Sequence, residues 1–136
     1  MSTDRLTGWI DNRRRPLVNL RVRRGEIVGA LVDTGFNGYL LWESSASDLS
    51  DFPGELSPLY ESIEVAGGTI LVNLAAAYVQ WFDEEDAYTR VETLVSLSAK
   101  QHRAGDPTVF VGTALLSGMI LVVDFLSATL VIERSR

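Results

Sequence analysis

A glycine pair, Gly67-Gly68, stands between two β-prone runs, Glu61 to Val65 and Thr69 to Leu74. With Ala66 it makes the tip of a predicted hairpin, because glycine reaches the positive backbone angles of a tight turn at little steric cost. Much of the chain repeats this pattern of short β runs and small-residue turns. Arg15 to Val22 alternates loosely, Glu26 to Val32 runs into Asp33-Thr34-Gly35, and Tyr39 to Trp42 is apolar. Ala75 to Phe82 and Thr89 to Leu97 form a second pair around the acidic turn Asp83-Glu84-Glu85-Asp86. Leu121 to Phe125 and Thr129 to Glu133 form a last pair around Leu126-Ser127-Ala128. Phe52 to Ser57, with Pro53 and Gly54, and the polar stretch Lys100 to Pro107 read as loops, and Ser44 to Leu49 as one helical turn. Thr113 to Ser117, between the strand Thr108 to Val111 and Gly118, is expected to make one short helix. Many short strands with glycine-rich turns predict an all-β chain, a sandwich or a barrel. No internal repeat or linker interrupts it, so residues 15–136 read as one domain preceded by an N-terminal arm, residues 1–14.

With 136 residues the chain can bury a modest core without staples. It has no cysteine, which excludes disulfides, thiolate metal sites and a cysteine nucleophile. No apolar run approaches the ~18 residues of a membrane span, and no apolar segment follows the first residues as in a secretory signal. A cytoplasmic location is expected. The formal net charge is −6. The arginines Arg13, Arg14, Arg15, Arg21, Arg23 and Arg24 are concentrated near the N-terminus, yet no aromatic residues interleave them. They read as the solvated face of a hairpin and not as a nucleic-acid site. His102, the only histidine, lies in a polar loop without a nucleophile elbow. The acidic turn at 83–86 lacks the glycine and ligand spacing of a calcium loop, and Gly67-Gly68 lacks the Lys-Ser/Thr of a phosphate loop. No metal site or cofactor is expected.

Ala30-Leu31-Val32-Asp33-Thr34-Gly35 is the segment richest in chemistry. An acid ends an apolar strand, a hydroxyl follows, and a glycine permits the turn that directs the carboxylate out of the sheet. An acid against apolar surroundings has reason to titrate unusually. Asp-Thr-Gly is also an ordinary way to end a strand. Its neighbours add specificity: the apolar Tyr39-Leu40-Leu41-Trp42, the Gly67-Gly68 hairpin, Trp81-Phe82-Asp83, the Val109-Phe110-Val111 strand with Gly112-Thr113-Ala114-Leu115-Leu116, and a closing Leu121 to Phe125 with Val131-Ile132-Glu133.

In this order, over roughly residues 15 to 133, the chain resembles the retropepsin-like, single-domain aspartic proteases, and most of all the small bacterial members. The resemblance implies a closed, barrel-like acid-protease fold and a homodimer, because the chain carries one Asp-Thr-Gly and Asp124 is followed by Phe125-Leu126. It implies Asp33, Thr34 and Gly35 as catalytic residues, with Thr34 bonding across the dimer axis. Val65, Ala66, Gly67, Gly68 and Thr69 would be a flap over an extended peptide or protein substrate, and Leu115 and Leu116 would pack beneath the active-site loop. Two departures from the viral pattern stand out. Phe36 replaces a small residue, and a bulky ring there is expected to narrow the cleft. Gly38 and Thr113 stand where the viral enzymes place an Asp–Arg ion pair, whose structural work must then be done otherwise. An aspartic endopeptidase is one reading of these residues. A non-catalytic or dormant peptide-binding module on the same fold is the other.

Overall fold

The computed structural model describes residues 3–22, 27–43, 54–65, 67–82, 89–96 and 109–135. The predicted turn at Ser44 to Leu49, the acidic turn at 83–86, His102 with its loop, and the flap residue Ala66 lie outside them. Among the described residues ten strands follow one another: β1 (Thr3–Ile10), β2 (Pro16–Val22), β3 (Ile27–Val32), β4 (Leu40–Glu43), β5 (Gly54–Val65), β6 (Gly68–Gln80), β7 (Thr89–Ser96), β8 (Val109–Val111), β9 (Ile120–Asp124) and β10 (Thr129–Ser135). They pair in the order β5-β6-β7-β4-β8-β3-β2-β1-β10-β9. A further pairing, Arg21↔Gln80 and Val22↔Val79, joins β2 to β6 and closes β2-β3-β8-β4-β7-β6 into a ring. The chain is therefore all-β and barrel-like. No helix among the described residues is long and apolar enough to cross a membrane.

Period-two alternation explains which side chains fill the ring. Val18 and Leu20 of β2, Ala30 and Val32 of β3, Val109 and Val111 of β8, and Leu130 and Ile132 of β10 are buried in one cluster with Leu40, Val79, Trp81 and Phe82. Each fully buried Val or Leu contributes ~1.5–3 kcal/mol relative to an exposed one. A second cluster holds Phe36, Leu41, Ile63 and Val72, with Ile70, Leu74 and Phe110 against it.

Three features differ from the sequence reading. Residues 113–118 form successive turns and no helix. The N–H groups of Thr113 and Ala114 are taken by Phe36 O and Gly38 O of another loop, and the remaining bonds, Ser117 N to Ala114 O and Met119 N to Leu116 O, span three residues. Thr69 to Leu74 and Ala75 to Gln80 make one strand, β6, since Ala75-Ala76-Ala77 offers no turn. Gly54 to Leu56, expected as loop, begin β5 by pairing with Ala75 to Ala77, and the register then shifts before Tyr60.

The N-terminal stretch pairs with the chain's other end. β1 runs antiparallel to β10 from Thr3↔Ser135 to Trp9↔Thr129. Facing charges follow that register, with Arg5 Nε donating to Glu133 at 2.9 Å and Arg134 Nε to Asp4 at 3.1 Å. Gly8 is required by the packing there, because a Cβ would stand 2.1 Å from Leu17 O and 2.4 Å from a Leu130 methyl.

Candidate active site

β8 lies between β3 and β4, parallel to the first (Val32↔Val111) and antiparallel to the second (Leu40↔Val111). The link from β3 to β4, residues 33–39, must therefore cross the end of β8. Asp33, Thr34 and Gly35 open that crossing loop. The chain leaving β8 at Gly112 meets it there, which brings two sequence-distant segments together.

Backbone hydrogen bonds fasten the two segments. Asp33 N–H donates to Val111 O at 2.9 Å, Gly112 N–H to Tyr39 O at 2.9 Å, Thr113 N–H to Phe36 O at 2.9 Å and Ala114 N–H to Gly38 O at 3.1 Å. The Thr113 hydroxyl also reaches Phe36 O, at 3.4 Å. Gly38 and Thr113, the positions that lack the viral ion pair, do not bond each other: Gly38 O is taken by Ala114 and the Thr113 N–H by Phe36, so backbone groups join the two segments there. Gly112 is the residue this close approach demands: a Cβ would stand 2.1 Å from Gly38 O and 2.6 Å from the Phe36 ring.

Within the loop, Gly35 N–H donates to Asp33 Oδ1 at 2.9 Å, and Phe36 N–H donates to Asp33 O at 3.2 Å. The carboxylate is held by its own turn and is half-buried, while Thr34 and Gly35 are exposed beside it. A charge-assisted bond from a backbone N–H orients one carboxylate oxygen. Such a carboxyl, carried on a loop pinned by these bonds, is equipped for proton transfer or for sharing a proton with a second acid.

Phe36 corrects the expectation of a narrowed cleft. Its ring is wholly buried and packs inward with Leu41, Ile63 and Val72. Ile63 and Ile70 face each other across the β5–β6 hairpin. The residue after Asp33-Thr34-Gly35 therefore shares a core with the root of the predicted flap. Sequence reading gave Phe36 no such role, although its place between Gly35 and an apolar strand was the available signal. At the hairpin's tip Val65 pairs with Gly68, and Gly67 and Gly68 take φ of 97° and 143°. Gly67, Gly68 and Thr69 are exposed.

The remaining candidates have structural work. Leu115 and Leu116 pack against the main core. Asp124 accepts from Leu126 N–H at 2.9 Å and Ser127 N–H at 3.2 Å, capping the β9–β10 turn, whose Ala128 has φ of 56°. Its pKa is lowered by the Ser127 hydroxyl first, then by the Ser127 and Leu126 N–H groups. In the basic cluster, Arg15 Nε bonds Asp11 Oδ2 at 2.7 Å, and the Arg13 and Arg15 N–H groups cap Asp11 Oδ1, each at 2.9 Å. Desolvation raises the Asp11 pKa, but these Arg15 and Arg13 bonds outweigh it and hold the carboxyl below its ordinary range. Trp81 meets Phe82 edge-on at 4.8 Å, and the Arg134 guanidinium covers the Phe82 ring at 4.2 Å.

No protein-family model matches the sequence, and no curated protein does. A solved structure does: the crystal structure of a retropepsin-like aspartic protease from Rickettsia conorii is similar with a TM-score of 0.60 at 13% identity, over 98% of this chain and 92% of that one. At that identity the likeness speaks for the fold, and the fold of this chain is the retropepsin-like one.

Proposed function

We propose that the protein is an aspartic endopeptidase that works as a two-fold homodimer, with Asp33 and the partner subunit's Asp33 forming the catalytic dyad. One observation carries the reading. Asp33 ends an apolar strand on a crossing loop pinned by four backbone bonds to the β8 end, with its carboxylate oriented by Gly35 N–H. Two such carboxyls brought together share one proton, because like charges a few ångströms apart do not both ionise readily. The ionised one takes a proton from water as it attacks the peptide carbonyl. The protonated one polarises that carbonyl and later helps protonate the leaving amine. Thr34 would bond across the axis. The Val65–Thr69 tip would close on an extended substrate, adding backbone bonds and excluding water. With no cysteine in the chain, a reducing cytoplasm is the proposed setting.

The test is peptide cleavage across acidic to neutral pH, with and without a statine-type mimic, by wild-type and Asp33→Asn protein. The replacement keeps the acceptor for Gly35 N–H and removes the acid. Cleavage lost in Asp33→Asn at unchanged melting temperature supports the dyad, and cleavage retained overturns it. Peptide binding without cleavage by wild-type protein would favour the binding-module reading.

A further inference from the structure

β1 and β2 pair only at Trp9↔Leu17 and Ile10↔Pro16, and beyond Trp9 they part. β1 continues along β10 to Thr3↔Ser135, while β2 turns to β6 at Arg21↔Gln80 and Val22↔Val79. β3 holds the other edge of β2 from Leu17 to Arg21. Val18, Asn19 and Leu20 therefore face no strand on the edge toward β1. A recess of about 250 Å³ occupies this split. Buried Leu20, Trp81 and Phe82 line it from the core, and exposed Thr7, Asn19 and Arg21 line it from the surface. Asn19 and Arg21 share the outward face because the alternate residues, Val18 and Leu20, point into the core.

Two observations mark the recess as more than a packing gap. Arg21 is its one charged lining residue and bonds no acidic side chain among the described residues. A guanidinium so placed is a fork for an incoming anion. Phe82 takes φ of 59°, a left-handed conformation uncommon for a bulky residue. Backbone held in such a state gathers at ligand sites. The recess is also separate from the Asp33 loop. Ile27, which opens β3, lines it, and Asp33 follows the far end of that 6-residue strand, roughly 20 Å away at the rise of a strand.

We infer that this recess binds a small carboxylate with an aliphatic body, about the size of one amino-acid residue. The Arg21 guanidinium takes the carboxylate through parallel N–H bonds, the Thr7 hydroxyl and Asn19 amide supply further bonds, and the aliphatic body lies on Leu20, Trp81 and Phe82. The recess is smaller than the ~300–1,000 Å³ of pockets for drug-sized ligands, too small for a nucleotide. One guanidinium in a chain of net charge −6 balances a monoanion and not a phosphate dianion. A ligand held there bridges β1 to β2 where no strand pairing does. The C-terminal residue of a peptide and a free acylated amino acid offer the same chemistry. The inference does not depend on the dyad reading of Asp33.

The experiment titrates the full chain with N-acetyl-leucine, followed by calorimetry and amide NMR. Wild-type protein should bind it, with shifts at Thr7, Asn19, Arg21 and the Trp81 indole and none at Asp33 to Gly35. N-acetyl-leucinamide has the same body without the charge. Its affinity for wild-type protein, and that of N-acetyl-leucine for Arg21→Gln protein, should each be at least ~10-fold lower. Arg21 and Thr7 are both exposed, so their replacements should fold. Thr7→Phe, which fills the recess from the surface, should abolish binding. Asp33→Asn protein should bind as wild type does, so the site stands or falls apart from the protease reading. A short peptide ending in a free leucine separates the two sources. Binding as tight as that of N-acetyl-leucine upholds the site as one for chain ends, and binding of the free acid alone upholds it as one for a metabolite. No binding at ~10 mM ligand, equal affinity for the amide, undiminished binding by Arg21→Gln or Thr7→Phe, or shifts confined to the Asp33 loop would overturn it.

Discussion

Gly112 lies against Phe36 so closely that a methyl group on its α-carbon would stand 2.6 Å from the ring and 2.1 Å from the Gly38 carbonyl oxygen. The second contact is with backbone and cannot be relieved by a rotamer change. Gly112→Ala is expected to cost ~2 kcal/mol or more and, on the dyad reading, to reduce cleavage by displacing the Asp33 loop. Gly67→Ala is the contrast. A Cβ there meets nothing within 4 Å, and the φ of 97° alone opposes it, so about 1 kcal/mol is expected. Urea titrations of the two variants make the comparison.

The Phe36 ring and Ile63 belong to one buried cluster. Phe36→Ala should cost ~3–5 kcal/mol by opening a cavity. The double-mutant cycle of Phe36→Leu with Ile63→Val should show a coupling energy of ~0.5 kcal/mol or more, as residues in contact do. Hydrogen exchange at residues 61–72 should speed up in Phe36→Leu. Strict additivity with unchanged exchange would mean that the loop and the hairpin root are independent.

Asp11 and Asp124 both have lowered pKa values in the folded protein. Their stabilisation is present above the unfolded pKa of ~3.9 and is lost as pH falls through the folded values. Melting temperature should therefore drop as pH is lowered from about 5 to 2. In Asp11→Asn and Asp124→Asn proteins the drop should be shallower. An equally steep decline in both variants would assign it to other carboxyls.

The two ion pairs between β1 and β10 should be unequal. Arg5 is largely exposed, and Arg5→Ala should change stability by less than ~1 kcal/mol, an effect that fades in salt. Arg134 is a quarter exposed, bonds the mostly buried Asp4 and covers Phe82. Arg134→Ala should cost roughly 1–2 kcal/mol and keep most of that cost in salt. Thermal melts at low and high ionic strength separate the two.

The hairpin at Gly67-Gly68, the β3 strand into Asp33 and the closing β9–β10 pair were legible because each is a local pattern ended by a turn. β1 was not, since the residues that make Thr3 to Ile10 a strand stand across from it at the other end of the chain, Glu133 and Arg134 among them. Thr113 to Ser117 read as a helix because composition does not reveal that Phe36 and Gly38 take the first two N–H groups. At the site, the end of an apolar strand at Asp33 was legible, and the structure has β3 end at Val32, just before it. Phe36 was misjudged, because whether a ring points into a cleft or a core depends on Ile63 and Val72, which are supplied from another hairpin.

The clamp between residues 36–39 and 112–114 consists of amide–carbonyl bonds around a buried ring, with no ionisable side chain in it. Neither protonation nor dissolved salt acts directly on such a fastening. Of the bonds that hold the Asp33 loop, only that from Gly35 N–H to Asp33 Oδ1 answers to protonation, so on the dyad reading a pH–activity profile would report the carboxyls themselves and not a loosening of the clamp.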